Sequence, residues 1–186
     1  LPSAQFLLFY HLLNKEKTKG IERLSFKEIA QKLNYTPMGV TKAINNLSYH
    51  ELVEIEGVKE KYVHFALRKA ELWNEAEARK ILVNPVLRRV FVDELPVGTF
   101  FLYSNESALP EYSNMNPSRQ EFLAVDKDQF YALKNTSKLK NENTQEGKFC
   151  LEVWKYNPEK LVDELYNDMS AVDPLSLYLS LKDIRD

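Results

Sequence analysis

Phe6, Phe9, Tyr10 and Leu13 stand at i, i+3, i+4 and i+7, the spacing that lays apolar side chains along one stripe of a helix. Three lysines lie within Lys15–Lys19 and Gly20 follows as a stop. A second helix opens at Ser25-Phe-Lys-Glu28, a capping box in which Ser25 and Glu28 satisfy each other's first-turn amides. Phe26, Ile29, Ala30 and Leu33 line its apolar face, and Asn34, a residue type that tolerates the left-handed conformation, ends it. Thr36-Pro37 then starts a third helix, Thr36 as N-cap and Pro37 at the first helical position. Its buried stripe is Val40, Ala43, Ile44 and Leu47.

After His50 the period changes from that of a helix to that of a strand. Leu52-Val-Glu-Ile55 and Tyr62-Val-His-Phe-Ala-Leu67 flank Glu56–Lys61, which carries Gly57, and two short alternating runs around such a turn predict a hairpin. Helix, helix, short turn, helix and hairpin is the order of a winged helix-turn-helix. Only six positions separate Ala30 from Thr36, so the second and third helices cross tightly. Residues 69–82 predict a further helix with Leu72, Trp73, Ala76 and Lys80 in register, a connector or dimerisation element ended by Asn84-Pro85. Beyond it the pattern becomes mixed. Strands are predicted at Val90–Val92, Thr99–Tyr103, Phe122–Val125 and Phe149–Tyr156, with a short helix near Asn105–Tyr112. A helix or turn opens at Asp126, residues 135–148 read as a polar loop, and Leu175, Tyr178 and Leu179 share one face of a last helix. The expected fold class is α+β: an N-terminal winged helix-turn-helix at 1–82, followed by a smaller α/β domain at 83–186.

Composition narrows the classes of protein. Hydrophobic residues are 44% and charged residues 28% of the 186, a globular balance. No apolar run approaches the ~18 residues of a membrane span, and no basic segment leads into an apolar one as in an export signal. Cys150 is alone, which excludes an internal disulfide and fits a reducing cytoplasm. Residues 1–80 carry 13 Lys/Arg against 10 Glu, whereas 81–186 carry 12 against 17 Asp/Glu. The mildly basic half is the one that admits a polyanion. The chain opens at Leu1 and closes at Asp186 within a charged run, as a segment of a longer protein does.

The candidate chemistry lies on the third helix. Opposite its buried stripe stand Thr36, Met38, Thr41, Lys42, Asn45 and Asn46, with no acidic residue from Thr36 to His50. Asn pairs bidentately with adenine, Thr and Lys reach phosphates, and Met tolerates a thymine methyl. The helix over about 36–49 is thus expected in the major groove of double-stranded DNA, and the wing 56–61 on the backbone through Lys59 and Lys61. One copy neutralises few phosphates, so a homodimer is expected, paired through the first helix, the 69–82 helix, or both.

No catalytic or metal residue is expected, and no cofactor. His11, His50 and His64 are read as structural, since no triad or ligand spacing includes them. Five glycines form no phosphate loop. Asp126-Lys-Asp128 puts two carboxylates on one strand face, as a two-metal site requires, but Asp126 directly follows the strand Phe122–Val125 and is read as a helix N-cap. Asp163, Glu164 and Asp168 around Tyr166 are read as an exposed helix face.

Leu24–Leu67 resembles bacterial winged-helix regulators of the MarR-like kind. Glu71-Leu-Trp73, Pro85-Val-Leu-Arg-Arg89, Glu106-Ser-Ala-Leu109, Tyr112-Ser-Asn-Met-Asn-Pro-Ser118 and Val172-Asp-Pro-Leu-Ser-Leu-Tyr-Leu-Ser-Leu-Lys182 together resemble regulators that carry a second domain similar to the antitoxins of abortive-infection type IV toxin–antitoxin systems. The resemblance implies a degenerate nucleotidyltransferase fold for the second domain and a chain that continues past Asp186 into a short helix. An active transferase has Gly-Gly or Gly-Ser where this chain has Ser104-Asn-Glu-Ser107, so no transferase activity is expected. The reading is a cytoplasmic, sequence-specific transcriptional regulator whose second domain binds an effector or partner. The alternative is an antitoxin-like protein whose second half restrains a toxin while the protein autoregulates its operon.

Overall fold

The structure, a computed structural model, describes residues 1–16, 20–166 and 168–182. Lys17 and Lys19 of the expected lysine run, and any helix past Asp186, lie outside the described residues. The fold is mixed, with eight α-helices and two sheets among the described residues, and the chain divides into two compact units, Leu1–Val83 and Asn84–Asp186. The second unit is therefore the longer one, not the smaller, because it holds four strands and four helices.

Unit 1 runs α1 (Pro2–Leu13), a single 3-10 turn at Ile21–Arg23, α2 (Phe26–Leu33), α3 (Pro37–Tyr49), β1 (Val53–Glu56), β2 (Tyr62–Phe65) and α4 (Lys69–Ala78). The local signals act as expected. Ser25 and Glu28 close a capping box on α2, Glu28 taking the Ser25 amide at 2.7 Å, and Asn34 ends the helix at φ 55°. The Glu28 carboxyl is held below its usual range by that amide. Thr36 caps α3 by accepting from Gly39 N at 3.0 Å. Val40, Ala43, Ile44 and Leu47 are buried with Phe26, Ile29, Ala30 and Leu33.

The hairpin is tied to the helices at both ends. Leu52 N donates to Leu47 O, Ala66 N to Leu52 O, and Phe26 N to Lys61 O, all at 3.0–3.1 Å. The Glu22 carboxylate of the 3-10 turn accepts from Phe65 N at 2.8 Å. In the turn Gly57 sits at φ 96°, where a Cβ would lie 1.9 Å from the Glu60 carbonyl oxygen. Only glycine fits there.

Two expectations for unit 1 change. Helix α4 stops at Ala78 rather than 82, because Lys80 turns left-handed (φ 55°) and Ile81 N reaches back to Ala76 O, a Schellman-type end without glycine. Helix α1 is not a free apolar stripe. Every residue from Ala4 to Tyr10 is buried within the unit, Phe9 stacks on Trp73 with ring centroids 6.0 Å apart, and Gln5 clamps Val83 N and O at 2.8 and 2.9 Å. The apolar face of α1, one of the two surfaces expected to pair two copies, is thus packed within the unit's own core.

Unit 2 is a four-stranded sheet in the order β3-β6-β5-β4, with β5 and β6 parallel and the outer pairs antiparallel. The strands are β3 (Val86–Val92), β4 (Leu102–Tyr103), β5 (Glu121–Asp126) and β6 (Phe149–Trp154). Around them lie α5 (Asn105–Tyr112), α6 (Lys127–Asn135), α7 (Pro158–Leu165) and α8 (Pro174–Lys182). One sheet face, with Val90, Val92, Leu123, Val125, Leu151 and Val153, packs on Phe130 and Leu133 of α6. The other presents Cys150, Glu152 and Trp154 of β6, and α5 reaches Glu152 there through Asn105.

Strand β3 exceeds the expected Val90–Val92 because β6 pairs along its length, with a register shift between Val86 and Arg88. The expected strand Thr99–Tyr103 shrinks to two residues, after a turn in which Thr99 N donates to Pro96 O and Gly98 sits at φ 77°. Asp168 lies past the end of α7, and in α8 the buried side chains are Ser176, Leu177, Leu179 and Ser180, leaving Tyr178 exposed. Among the described residues no helix is long and apolar enough to cross a membrane.

Candidate functional site

Helix α3 and its N-cap sort six of the eight candidate residues into three groups. Thr36 and Thr41 have their hydroxyls committed to their own helix, Thr36 as the N-cap and Thr41 donating to Pro37 O at 2.9 Å. Asn46 is half-buried, and its Oδ1 accepts from the Leu1 amino group at 3.1 Å. These three hydroxyl and amide oxygens therefore already have protein donors or acceptors. Met38, Lys42 and Asn45 are different. All three are exposed, and the side chains of Lys42 and Asn45 make no ion pair or hydrogen bond with any described residue.

Their spacing makes them a line. Positions 38, 42 and 45 fall at i, i+4 and i+7, so the side chains stand one above another on the face away from the core. Tyr49 extends the line by four residues. It is 82% exposed and meets the His50 ring edge-on, 5.1 Å between centroids. In the sequence, the four-residue offset of Tyr49 from Asn45 is the signal that places it on the line. Met38 at the other end is 67% exposed. Along 36–50 there is no carboxylate to repel a polyanion.

On the hairpin, Lys59 and Lys61 are both exposed, and Val58 beside them is 93% exposed. Acidic neighbours have local partners: Glu56 lies 3.1 Å from His64 Nε2, and Glu60 accepts from Tyr62 OH at 3.2 Å. That contact raises the Tyr62 phenol above its usual range. His64 thus faces Glu56 across the hairpin. His11 stacks flat on Phe65 at 3.7 Å, with its pKa lowered by burial. His11 and His64 are thus both engaged by side chains of unit 1.

Among its described residues, unit 2 holds no second constellation of that kind. Asp126 caps α6, accepting from Asp128 N at 3.2 Å. Burial, then the Asp128 charge, raises its carboxyl. Ser107 Oγ accepts from Phe122 N at 2.9 Å and donates to Gln120 O at 3.1 Å, tying α5 to β5. Burial pushes the Cys150 thiol up to about 12, so it is not a poised nucleophile. Among the described residues, no three His, Cys, Asp or Glu side chains group so as to hold a metal ion.

Two features of unit 2 were not anticipated. Glu152 is fully buried in the sheet, where its Oε2 takes Arg89 Nε at 2.9 Å and Asn105 Nδ2 at 3.2 Å. Between α5 and α8 runs a groove lined by Leu109, Tyr112, Leu177, Tyr178 and Leu181. Comparison of the chain with family models, with curated proteins and with solved structures finds no match.

Proposed function

We propose that unit 1 is a winged helix-turn-helix that binds double-stranded DNA, with α3 in the major groove and the β1–β2 wing against the backbone, and that the protein is a cytoplasmic, sequence-specific transcriptional regulator. One observation carries this reading: Met38, Lys42 and Asn45 form an exposed, acid-free line on the second helix of a tight helix pair, with the heads of Lys42 and Asn45 uncommitted to described residues. A face kept merely for solvation has no reason to exclude carboxylates from every exposed position of 36–50. A groove face does.

Lys42, Lys59 and Lys61 supply three cationic heads per copy, and each neutralised phosphate contributes a slope of about −0.9 in log affinity against log salt. A homodimer is part of the proposal, since two copies raise the expected slope to about −5. Its interface lies elsewhere than on α1. Unit 2 is then the effector- or partner-binding half, and the apolar α5–α8 groove is the observation that supports a protein partner, as the antitoxin-like reading requires.

The test is a genome-fragment pull-down with the full chain, followed by salt-titrated fluorescence anisotropy on the recovered fragments. Asn45→Ala is expected to lose about 1–3 kcal/mol of discrimination at one base pair. Lys59→Ala is expected to weaken all sequences alike and to flatten the salt slope by about one per copy. No fragment enrichment together with flat salt dependence would remove the regulator reading.

A further inference from the structure

The chemistry of the α3 line also bears on which base pairs it reads, granted the DNA-binding reading above. Unit 1 contains three arginines, Arg23, Arg68 and Arg79, none of them on α3 or the hairpin. Arg79 is in addition held by Glu51 and Glu75, both at 3.2 Å. A guanidinium is the commonest reader of guanine, through paired donors to O6 and N7. The α3 line has no such fork. Its directional polar head is the Asn45 amide, which has the donor and acceptor that match adenine N7 and N6. Lys42 is a compact, strongly hydrated point charge that suits a phosphate. Met38 brings an exposed thioether methyl, which packs on a thymine methyl and has nothing to offer a guanine or cytosine edge.

Met38 and Asn45 are seven residues apart, about 10 Å along the helix axis at 1.5 Å per residue. That is about three base-pair steps at roughly 3.4 Å each. The neighbouring Asn46 is half-buried with its Oδ1 accepting from Leu1 N, whereas Asn45 is exposed and its head makes no hydrogen bond to a described residue. We infer that α3 selects an A·T half-site core, Asn45 specifying one adenine and Met38 contacting a thymine methyl within about three base pairs of it.

The experiment is selection from a random duplex library with the full chain, then anisotropy on the winning duplex and its single changes. An A·T core is expected. Exchange of the read A·T pair for G·C weakens the wild type roughly tenfold and Asn45→Ala less than about twofold. Deoxyuridine in place of the read thymine, which removes only the methyl, weakens the wild type about threefold and leaves Met38→Ala unchanged. Both side chains are exposed, so both variants keep the wild-type melting temperature, and the deoxyuridine arm leaves the protein untouched. A G·C core, or an A·T core whose discrimination survives both variants, overturns this inference while leaving DNA binding standing. Failure of the chain to bind any duplex overturns the DNA-binding reading and this inference with it.

Discussion

Arg89→Ala is expected to destabilise unit 2 by about 2–4 kcal/mol, the range for stranding a buried carboxylate without its ion partner, reduced here because the Arg89 head is partly exposed. Glu152 lies at the centre of the sheet with no solvent exposure, and its second oxygen, Oε1, has no hydrogen-bond partner among the described residues. Removing the guanidinium would leave Asn105 Nδ2 as the remaining described donor to the carboxylate. Glu152→Gln should cost less, about 1–2 kcal/mol, because the charge is gone and Arg89 can turn toward water. The ordering is the informative result. Equal losses in urea unfolding would show that Arg89 contributes through packing and not through the ion pair.

The second large effect is a dependence on pH. Asp173 is fully buried at the start of α8, where its Oδ1 accepts from Leu175 N at 3.1 Å and Ser176 N at 2.9 Å, while Oδ2 has no partner among the described residues. Burial raises its carboxyl from 3.8 to about 6, against the lowering effect of those amides. A native pKa above the unfolded one means that the folded protein binds the extra proton. Stability is therefore greatest below about pH 4 for this group and falls as pH rises toward 6 and beyond. The full span corresponds to on the order of 3 kcal/mol, at about 1.4 kcal/mol for each tenfold difference in proton affinity between the folded and unfolded chain. Asp173→Asn keeps the capping oxygen and removes the charge, so it should abolish this slope. Its amide nitrogen, buried where Oδ2 now lies, returns about 1–3 kcal/mol of that gain. Urea unfolding of both proteins from pH 4 to 8 isolates the group, since all other titrations are common to the pair. Parallel curves would contradict the assignment.

What was legible in the sequence was local. The Ser25–Glu28 box, the left-handed Asn34, the Thr36-Pro37 start and the Asp126 cap each depend on a few neighbouring residues, and each forms as its spacing dictates. Features set by distant partners were not legible. The length of β3 depends on how far β6 pairs with it. The enclosure of α1 depends on Trp73 and Val83, some seventy residues away. Glu152 was hidden by its own pattern: alternation in Phe149–Tyr156 reads a polar residue as facing water, but here both faces of the strand are covered. The candidate site was legible as a helix face and less so as individual residues. Periodicity places Thr36, Thr41 and Asn46 near that face, and only the hydrogen bonds distinguish them from Met38, Lys42 and Asn45.

The central claim, that the exposed line of α3 meets DNA, is tested most directly by reversing its electrostatics without touching the core. The full chain carrying Lys42→Glu and Asn45→Asp together should bind a 30-base-pair duplex from the genomic selection at least ~100-fold more weakly than wild type, since it puts two carboxylates against a phosphate-lined groove. Lys138→Glu, at an exposed position of unit 2, should leave affinity within about twofold, and the melting temperature of the double variant should stay at the wild-type value. Loss of binding in the α3 variant alone is the predicted result. Equal affinity of wild type and the α3 double variant would contradict it.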